Sequence, residues 1–324
     1  MRLEVKSWFL AAASLLLVAT AAWAEDYQTR PVKLLVGFSP GGAPDTFARI
    51  VGQRLSEILK QPFIVDNKPG AGGMMAAKQN SKEAADGYSL VVVDNAQIGI
   101  VPYIYKDVPY DPIKDFTPIG LAVTGPMVLI SNAKTTTIKT LADLIRQAKA
   151  KPGTINYGST GIGGIHHIAM EVFCNEAGIA LTHIPYKGSG QSVPALLGGQ
   201  VDLVLTGFTA SAPYVKSGQV NPLAVTSLKR VPDDPEVPAF SEFYKGYDYA
   251  FEIGILGPAG LSPEIVAKLS GALKTALEGP DIKEKLRTVG VVPTWLSPKD
   301  YAENIRENLK KYKRAVEIAH ITPK

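Results

Sequence analysis

Cysteine is nearly absent: Cys174 is the only one in 324 residues. No intrachain disulfide can form, so the fold must be held together by its core. Histidine is also scarce, at four residues, His166, His167, His183 and His320. None is spaced H-x-x-x-H, and with one thiol a zinc site has little to build on, so neither metal nor cofactor is expected. Charge of one sign is missing too. The net charge is +4, with the densest basic cluster at Lys310, Lys311, Lys313 and Arg314. Apolar positions alternate with those cations at helical spacing, which reads as a solvated helix face. No basic patch is interleaved with aromatics, so nucleic acid is not an expected partner. Repeats and low-complexity tracts are lacking. Cys174 itself sits in the helical run IAMEVFCNEAG, where a small buried apolar residue is expected.

Long apolar runs are limited to one, at the N-terminus. Arg2 and Lys6 form a short basic head, Trp8 to Ala22 is almost unbroken hydrophobe, and Ala22-Trp23-Ala24 offers small residues where a signal peptidase reads. A membrane anchor wants about 20 apolar residues, so the expectation is a signal peptide, residues 1–24, cleaved after Ala24. With no cysteine there, a lipid anchor is not expected. The mature chain would begin at Glu25, be periplasmic, and carry one net charge less, because Arg2, Glu4 and Lys6 leave with the leader.

What remains alternates short apolar runs with helical patterns. VKLLVGF precedes a helix over 44–60, in which Phe47, Ile50, Val51, Leu55, Ile58 and Leu59 recur at steps of three and four. SLVVVD, PMVLIS, TINYGS, LTHIPY, VDLVLTG, PLAVTS and FEIGILGP read as strands. Helices are expected over TLADLIRQAKA, from Ile165 to Ala177, near 191–198, and at three C-terminal starts marked by Pro263, Pro280 and Pro298. Such alternation predicts an α/β fold with mostly parallel sheets flanked by helices. Two proline-broken stretches, 102–118 and 231–248, look like joints. The expected organisation is two lobes, the first from 25–124 plus 246–324 and the second from 125–245.

The chemistry concentrates where strand meets helix. In VKLLVGFSPGGAPDTFARI an apolar strand runs into a Gly/Pro/Ser knot, then a helix. Gly37-Phe38-Ser39-Pro40-Gly41 fits the G-x-S-x-G nucleophile elbow, but the residue after Ser39 is Pro40. That position must supply an oxyanion N–H, and proline has none. A phosphate loop needs Lys and Ser/Thr after its last glycine, whereas here Ala43-Pro44-Asp45 follow. An anion cradle remains. Gly41 and Gly42 permit close backbone approach, Pro44 suits the first helical turn, and helix-start N–H groups face outward at the carboxyl end of a strand. Asp45 has two readings, a helix-end residue or a ligand contact. A second knot, Gly158-Ser159-Thr160-Gly161-Ile162-Gly163-Gly164, repeats the arrangement before His166 and His167, and Lys187 could add charge nearby.

Taken in order, RPVKLLVGFSPGGAPDTFAR, NKPGAGGMMAA, ADGYSLVV, YDPIKDFTPI, AKPGTINYGSTGIGGIHHIAMEVF, HIPYKGSGQSVPALLGGQVDLVL, SGQVNPLAV and GPAGLSPEIVAKL resemble the substrate-binding proteins of tripartite tricarboxylate transporters, the Bug receptors. The resemblance covers nearly the whole mature chain. It implies a periplasmic-binding-protein fold (type II-like) that closes on a small carboxylate and passes it to integral-membrane permease subunits, acting as a monomer and not as an enzyme. By that resemblance the ligand contacts fall on Phe38, Ser39, Gly41, Gly42, Asp45, Ser159, Thr160, Gly161 and Gly163. His166 is a further candidate at the second knot, and the later loops add Asn95, Ala96, Thr206, Gly207 and Phe208. Two features depart from the family pattern: Gly37, where relatives are often bulkier, and the polar stretch Asp94-Asn95-Ala96-Gln97. The alternative class is an exported serine hydrolase using Ser39 or Ser159 with His166, for which no acid–histidine pair can be named from spacing.

Overall fold

A computed structural model describes residues 30–323 apart from 187 and 233. The expected leader and Lys187 therefore lie outside the described residues. Among the described residues, eleven strands form two sheets. One contains β1 (Val32–Val36), β2 (Phe63–Asn67), β3 (Ser89–Asp94), β4 (Phe116–Gly125), β10 (Phe251–Pro258) and β11 (Val292–Leu296), in the order β11-β4-β10-β3-β1-β2. The other contains β5 (Met127–Asn132), β6 (Asn156–Ser159), β7 (Thr182–Pro185), β8 (Leu203–Gly207) and β9 (Val220–Val225), ordered β7-β6-β8-β5-β9. The molecule is a two-lobed α/β protein, one sheet per lobe.

The expectation of mostly parallel sheets needs one adjustment, because each sheet is mixed. β1 pairs in parallel with β2 and β3, and β6 with β7 and β8. By contrast β10 runs antiparallel to β3 and β4, and β5 runs antiparallel to β8 and β9. The reason is connectivity. β4 leads straight into β5 through Gly125 and Pro126, and the chain returns from β9 to β10, so strands that carry it between lobes enter against the direction of the βαβ units.

Helices flank both sheets. They are α1 (Ala43–Leu59), α2 (Met74–Asn80), α3 (Val101–Ile104), α4 (Leu141–Ala150), α5 (Ile165–Ala177), α6 (Ser189–Leu197), α7 (Phe208–Lys216), α8 (Pro263–Glu278), α9 (Pro280–Thr288) and α10 (Pro298–Ile318). α1 buries Phe47, Ala48, Val51 and Leu55 on the first sheet beside Leu34 and Val36. In the second lobe Leu129, Tyr157, Ile168, Phe173 and Leu205 form the core, and Cys174 lies within it at 6% exposure. Burial pushes the Cys174 thiol up and keeps it protonated. α10 serves both lobes: Tyr301 and Ile305 join a first-lobe cluster with Leu121 and Leu256, while Tyr312, Ala315 and Val316 join the second-lobe core.

Candidate functional site

In both sheets the parallel strands end at the same gap. β1 opens into α1, β6 into α5, β7 into α6 and β8 into α7, while β3 runs into one wide π-type turn, Ala96–Ile100. Two hollows occupy the gap. The front one, of about 580 Å³, is lined by Phe38, Ser39, Pro40 and Ala96 from one side and by Thr160 to His166 from the other, with Val101, Ile104 and Tyr105 between. The rear one, of about 470 Å³, lies against the Gly125-Pro126 crossover and is bounded by Met127, Ser189, Gly190, Gly207, Ala210 and Val289–Val291. Gly42, Ala43, His166, Gly188 and Phe251 border both and form a neck. No lysine or arginine among the described residues lines either hollow, and Asp94 is the one carboxylate there.

At the first knot Gly41 takes φ +88° and Gly42 caps α1 in extended conformation with no side chain over the helix end. Among the described residues nothing engages the amides of Gly42, Ala43 and Asp45. The Gly41 amide is different, because it donates to Asp45 Oδ2 at 2.9 Å. Asp45 also accepts from Arg49 Nε at 3.0 Å and from Asn67 Nδ2 at 2.9 Å, and is buried outside both hollows. Burial alone would raise its carboxyl, but Arg49, the Gly41 amide and Asn67 outweigh that and hold it below the usual carboxylate range. Asp45 thus braces the loop from behind, the helix-end reading and not the ligand contact. Asp45→Ala is expected to cost about 1–3 kcal/mol of stability, because it removes a buried charged acceptor shared by the Gly41 amide, Arg49 and Asn67. Carboxylate affinity should fall with it. Chemical denaturation and calorimetric titration check both, and an unaltered unfolding midpoint would contradict the brace.

The second knot is drawn tight by its own side chains. Ser159, fully buried, accepts from the Gly161 amide at 3.1 Å and lies 2.6 Å from His183 Nε2. The Gly163 amide donates to His167 Nδ1 at 3.2 Å, and Gly164 donates to the Gly161 carbonyl. The donors carried over at Gly161 and Gly163 are therefore consumed in shaping the turn. Among the amides left unengaged are those of Ile165 and His166, in the first turn of α5, which again has no side-chain cap. Thr160 Oγ1 and His166 Nδ1 pair at 2.8 Å on the cleft wall. Gly163 takes φ +76°, and a methyl there would come 2.7 Å from Ile104 Cδ1, so the first lobe's α3 seats on this glycine.

The Ser159 arm of the hydrolase alternative is corrected by the same contacts. Ser159 pairs with His183, not His166, and lines neither hollow. His183 is stacked on His167 at 3.9 Å between centroids and on Tyr157 at 4.9 Å. No acid orients its far ring nitrogen among the described residues, as a nucleophile's base requires. Burial lowers His166 and His183 to about 4. It lowers His167 to about 3, with His183 adding to the effect.

Three further expected contacts sit elsewhere. Asn95 turns away from the gap, its Nδ2 donating to the Ala250 carbonyl and the Tyr312 hydroxyl, both at 2.8 Å. Thr206 is buried and donates to Ser189 Oγ at 3.1 Å. Phe208 begins α7, its amide donating to the Pro126 carbonyl at 3.0 Å while its ring packs on the β8 core. Ala96 and Gly207 do border the hollows. Sequence reasoning missed Ile104, Tyr105, Phe251, the Gly188-Ser189-Gly190 start of α6 and Val289–Val291. For α6 there was a signal, since KGSG after a strand is a third glycine knot.

The family model for the tripartite tricarboxylate transporter family receptor matches residues 47–321. Protein BugT of Bordetella pertussis is 31% identical over 297 residues, covering 91% of this chain and 91% of that protein. Among solved structures, Rpa4515 of R. palustris with adipate is similar with TM-score 0.82 and 33% identity, over 92% of this chain and 100% of that one. MatC from Rhodopseudomonas palustris with bound malate is similar with TM-score 0.77 and 27% identity, over 89% of this chain and 99% of that one.

Proposed function

This chain belongs to the tripartite tricarboxylate transporter receptor family, and we propose that it is an exported receptor which captures a small carboxylate between its lobes and delivers it to a membrane permease. The observation that carries this reading is the pair of uncapped helix starts, α1 and α5, whose unengaged amides border one gap from opposite lobes. A helix start carries about half a positive charge and several free donors. Two of them facing a carboxylate in a water-poor gap give charge-assisted hydrogen bonds without a bound cation. Thr160, Ser39 and His166 add side-chain polarity at the rim and neck. The rest of the lining, Phe38, Val101, Ile104, Phe251 and Met127, is apolar and suits a hydrocarbon or ring body.

The lobes are joined by the β4–β5 crossover at Gly125-Pro126 and by the return to β10, so closure would bend there, with the lobes taken as 25–124 plus 246–324 and 125–245. Release to a permease requires reversible capture, and a site built from backbone donors serves that end. Adipate and malate, carried by two similar proteins, bracket a useful library. Calorimetric titration of the mature chain against C4–C8 dicarboxylates and aromatic acids is expected to give micromolar or tighter binding for at least one. Absence of binding to every acid, or turnover of an ester that Ser39→Ala abolishes, would remove the proposal.

A further inference from the structure

Behind the cleft wall, where β3 ends against α10, lies a separate hollow of about 10 Å³, lined chiefly by Asp94, Asn95, Glu252, Tyr301, Asn304 and Asn308. That is room for one water or one ion. Asn95 is 5% exposed, and its Nδ2 is committed to the Ala250 carbonyl and Tyr312. A carbonyl can only accept, so the amide cannot be turned round, and Asn95 Oδ1 is left buried without a donor. The rest of the rim also accepts. Asp94 Oδ1 takes the amides of Ala96 and Gln97 at 3.0 and 3.1 Å. Asn308 Nδ2 serves both Glu252 Oε2, at 2.7 Å, and Asn304 Oδ1, at 3.1 Å. Lys311, one turn further along α10, is hydrogen-bonded to the Asp248 carbonyl and sits over the Tyr249 and Tyr312 rings, its charge reaching Glu252 without a bond to it. Two carboxyls and two amide oxygens thus border the hollow, and the donors beside them, the Tyr301 hydroxyl and the Asn304 and Asn308 amide groups, still leave Asn95 Oδ1 unanswered. A water brings two hydrogens, whereas a cation answers every oxygen at once.

We propose that this hollow binds one alkali cation of sodium size through Asp94, Asn95, Glu252 and Asn304. Hard cations take oxygen ligands, and calcium wants six to eight of them with more anionic charge than two carboxylates bring. The ion would tie three parts of the fold. Asp94 also borders the front hollow, Glu252 follows the neck residue Phe251, and Asn304 rides on α10, which packs against both lobes. The inference does not rest on the carboxylate reading.

The test uses the mature chain without any carboxylate ligand. Its thermal midpoint is measured while sodium chloride replaces N-methylglucamine chloride at constant ionic strength. A saturable rise of a few degrees is expected, and it should vanish in Glu252→Gln. Sodium-23 NMR should show line broadening with the wild type that this variant lacks. Should Glu252→Gln fail to fold, Asn304→Ala takes its place in both measurements, with the same loss of the sodium response expected. A midpoint indifferent to sodium, or a response that survives in the variant, overturns the proposal and leaves the hollow holding water alone.

Discussion

Gly37→Ala is expected to be the most damaging single-methyl substitution at the cleft floor. Gly37 is the last buried residue before the first knot, and a methyl on it would lie 2.5 Å from Gly73 Cα, 2.8 Å from the Gly73 carbonyl oxygen and 2.5 Å from Gln97 Nε2. A flexible side chain can move aside, but a backbone cannot. Gln97, fully buried, holds that backbone in place: its Nε2 donates to the Gly73 carbonyl at 3.0 Å and its Oε1 accepts from the Asp94 amide at 3.0 Å. Overpacking of this kind costs about 1–3 kcal/mol or more. The strain falls on the strand that delivers Phe38 and Ser39 to the gap, so carboxylate binding should weaken at least as much as stability. Gln97→Ala in the same chain is expected to relieve little, since Gly73 remains in contact. Unfolding midpoints of the two single variants and the double variant decide the matter, and full rescue by Gln97→Ala would show that the side chain alone was responsible. The two departures noted in the sequence, Gly37 and the polar stretch 94–97, are therefore one device: small where the glutamine must fit, polar where it must bind.

The layout was legible because it depends on short-range pattern. The helix from Ile165 to Ala177 and the strand from Phe251 to Pro258 stand where apolar periodicity put them. Elements that were missed break those rules. β4 contains Pro118 and follows a proline-rich joint, α2 follows the glycines at 70–73, and α7 carries Pro213 in its interior. Each is held by tertiary contact rather than by propensity. At the site, glycine and proline marked the two knots correctly, since their backbone demands are local. Which amides the knots leave unengaged was not legible. Asp45 reaching back to Gly41, and Ser159 and His167 claiming Gly161 and Gly163, are choices of side-chain rotamer that spacing does not encode. Long-range partners such as Asn95 with Tyr312, 217 residues apart, were beyond reach for the same reason.

Acid is expected to loosen the second lobe through its histidines, and the sign follows from linkage. An exposed imidazole in the unfolded chain titrates near 6.5, whereas in the fold His166 and His183 titrate near 4 and His167 near 3. Below 6.5 the unfolded state binds protons that the folded state refuses, so each imidazole withdraws stability as pH falls towards its folded value. The slope is about 1.4 kcal/mol per pH unit per proton. The loss is complete only below the folded pKa, on the order of 3 kcal/mol per histidine. Buried carboxyls act the other way. Burial raises Asp94 to about 7 and raises Glu171 and Glu252, so the fold takes up protons there and recovers part of the loss. The total slope is thus a difference, and the decisive comparison is between variants. His183 faces Ser159, His167 and Tyr157, and its neighbour His167 faces Glu171 at 3.8 Å. Replacing His183 with asparagine removes one refused proton and, beside the burial that mainly keeps His167 neutral, the repulsion His183 adds. Between pH 6 and 4.5 the stability of His183→Asn should therefore fall less steeply than that of the wild type, by somewhat under one proton's worth for His183 itself. Urea unfolding at half-unit pH steps measures it, and parallel pH profiles for the two proteins would mean that these imidazoles are already charged in the native fold.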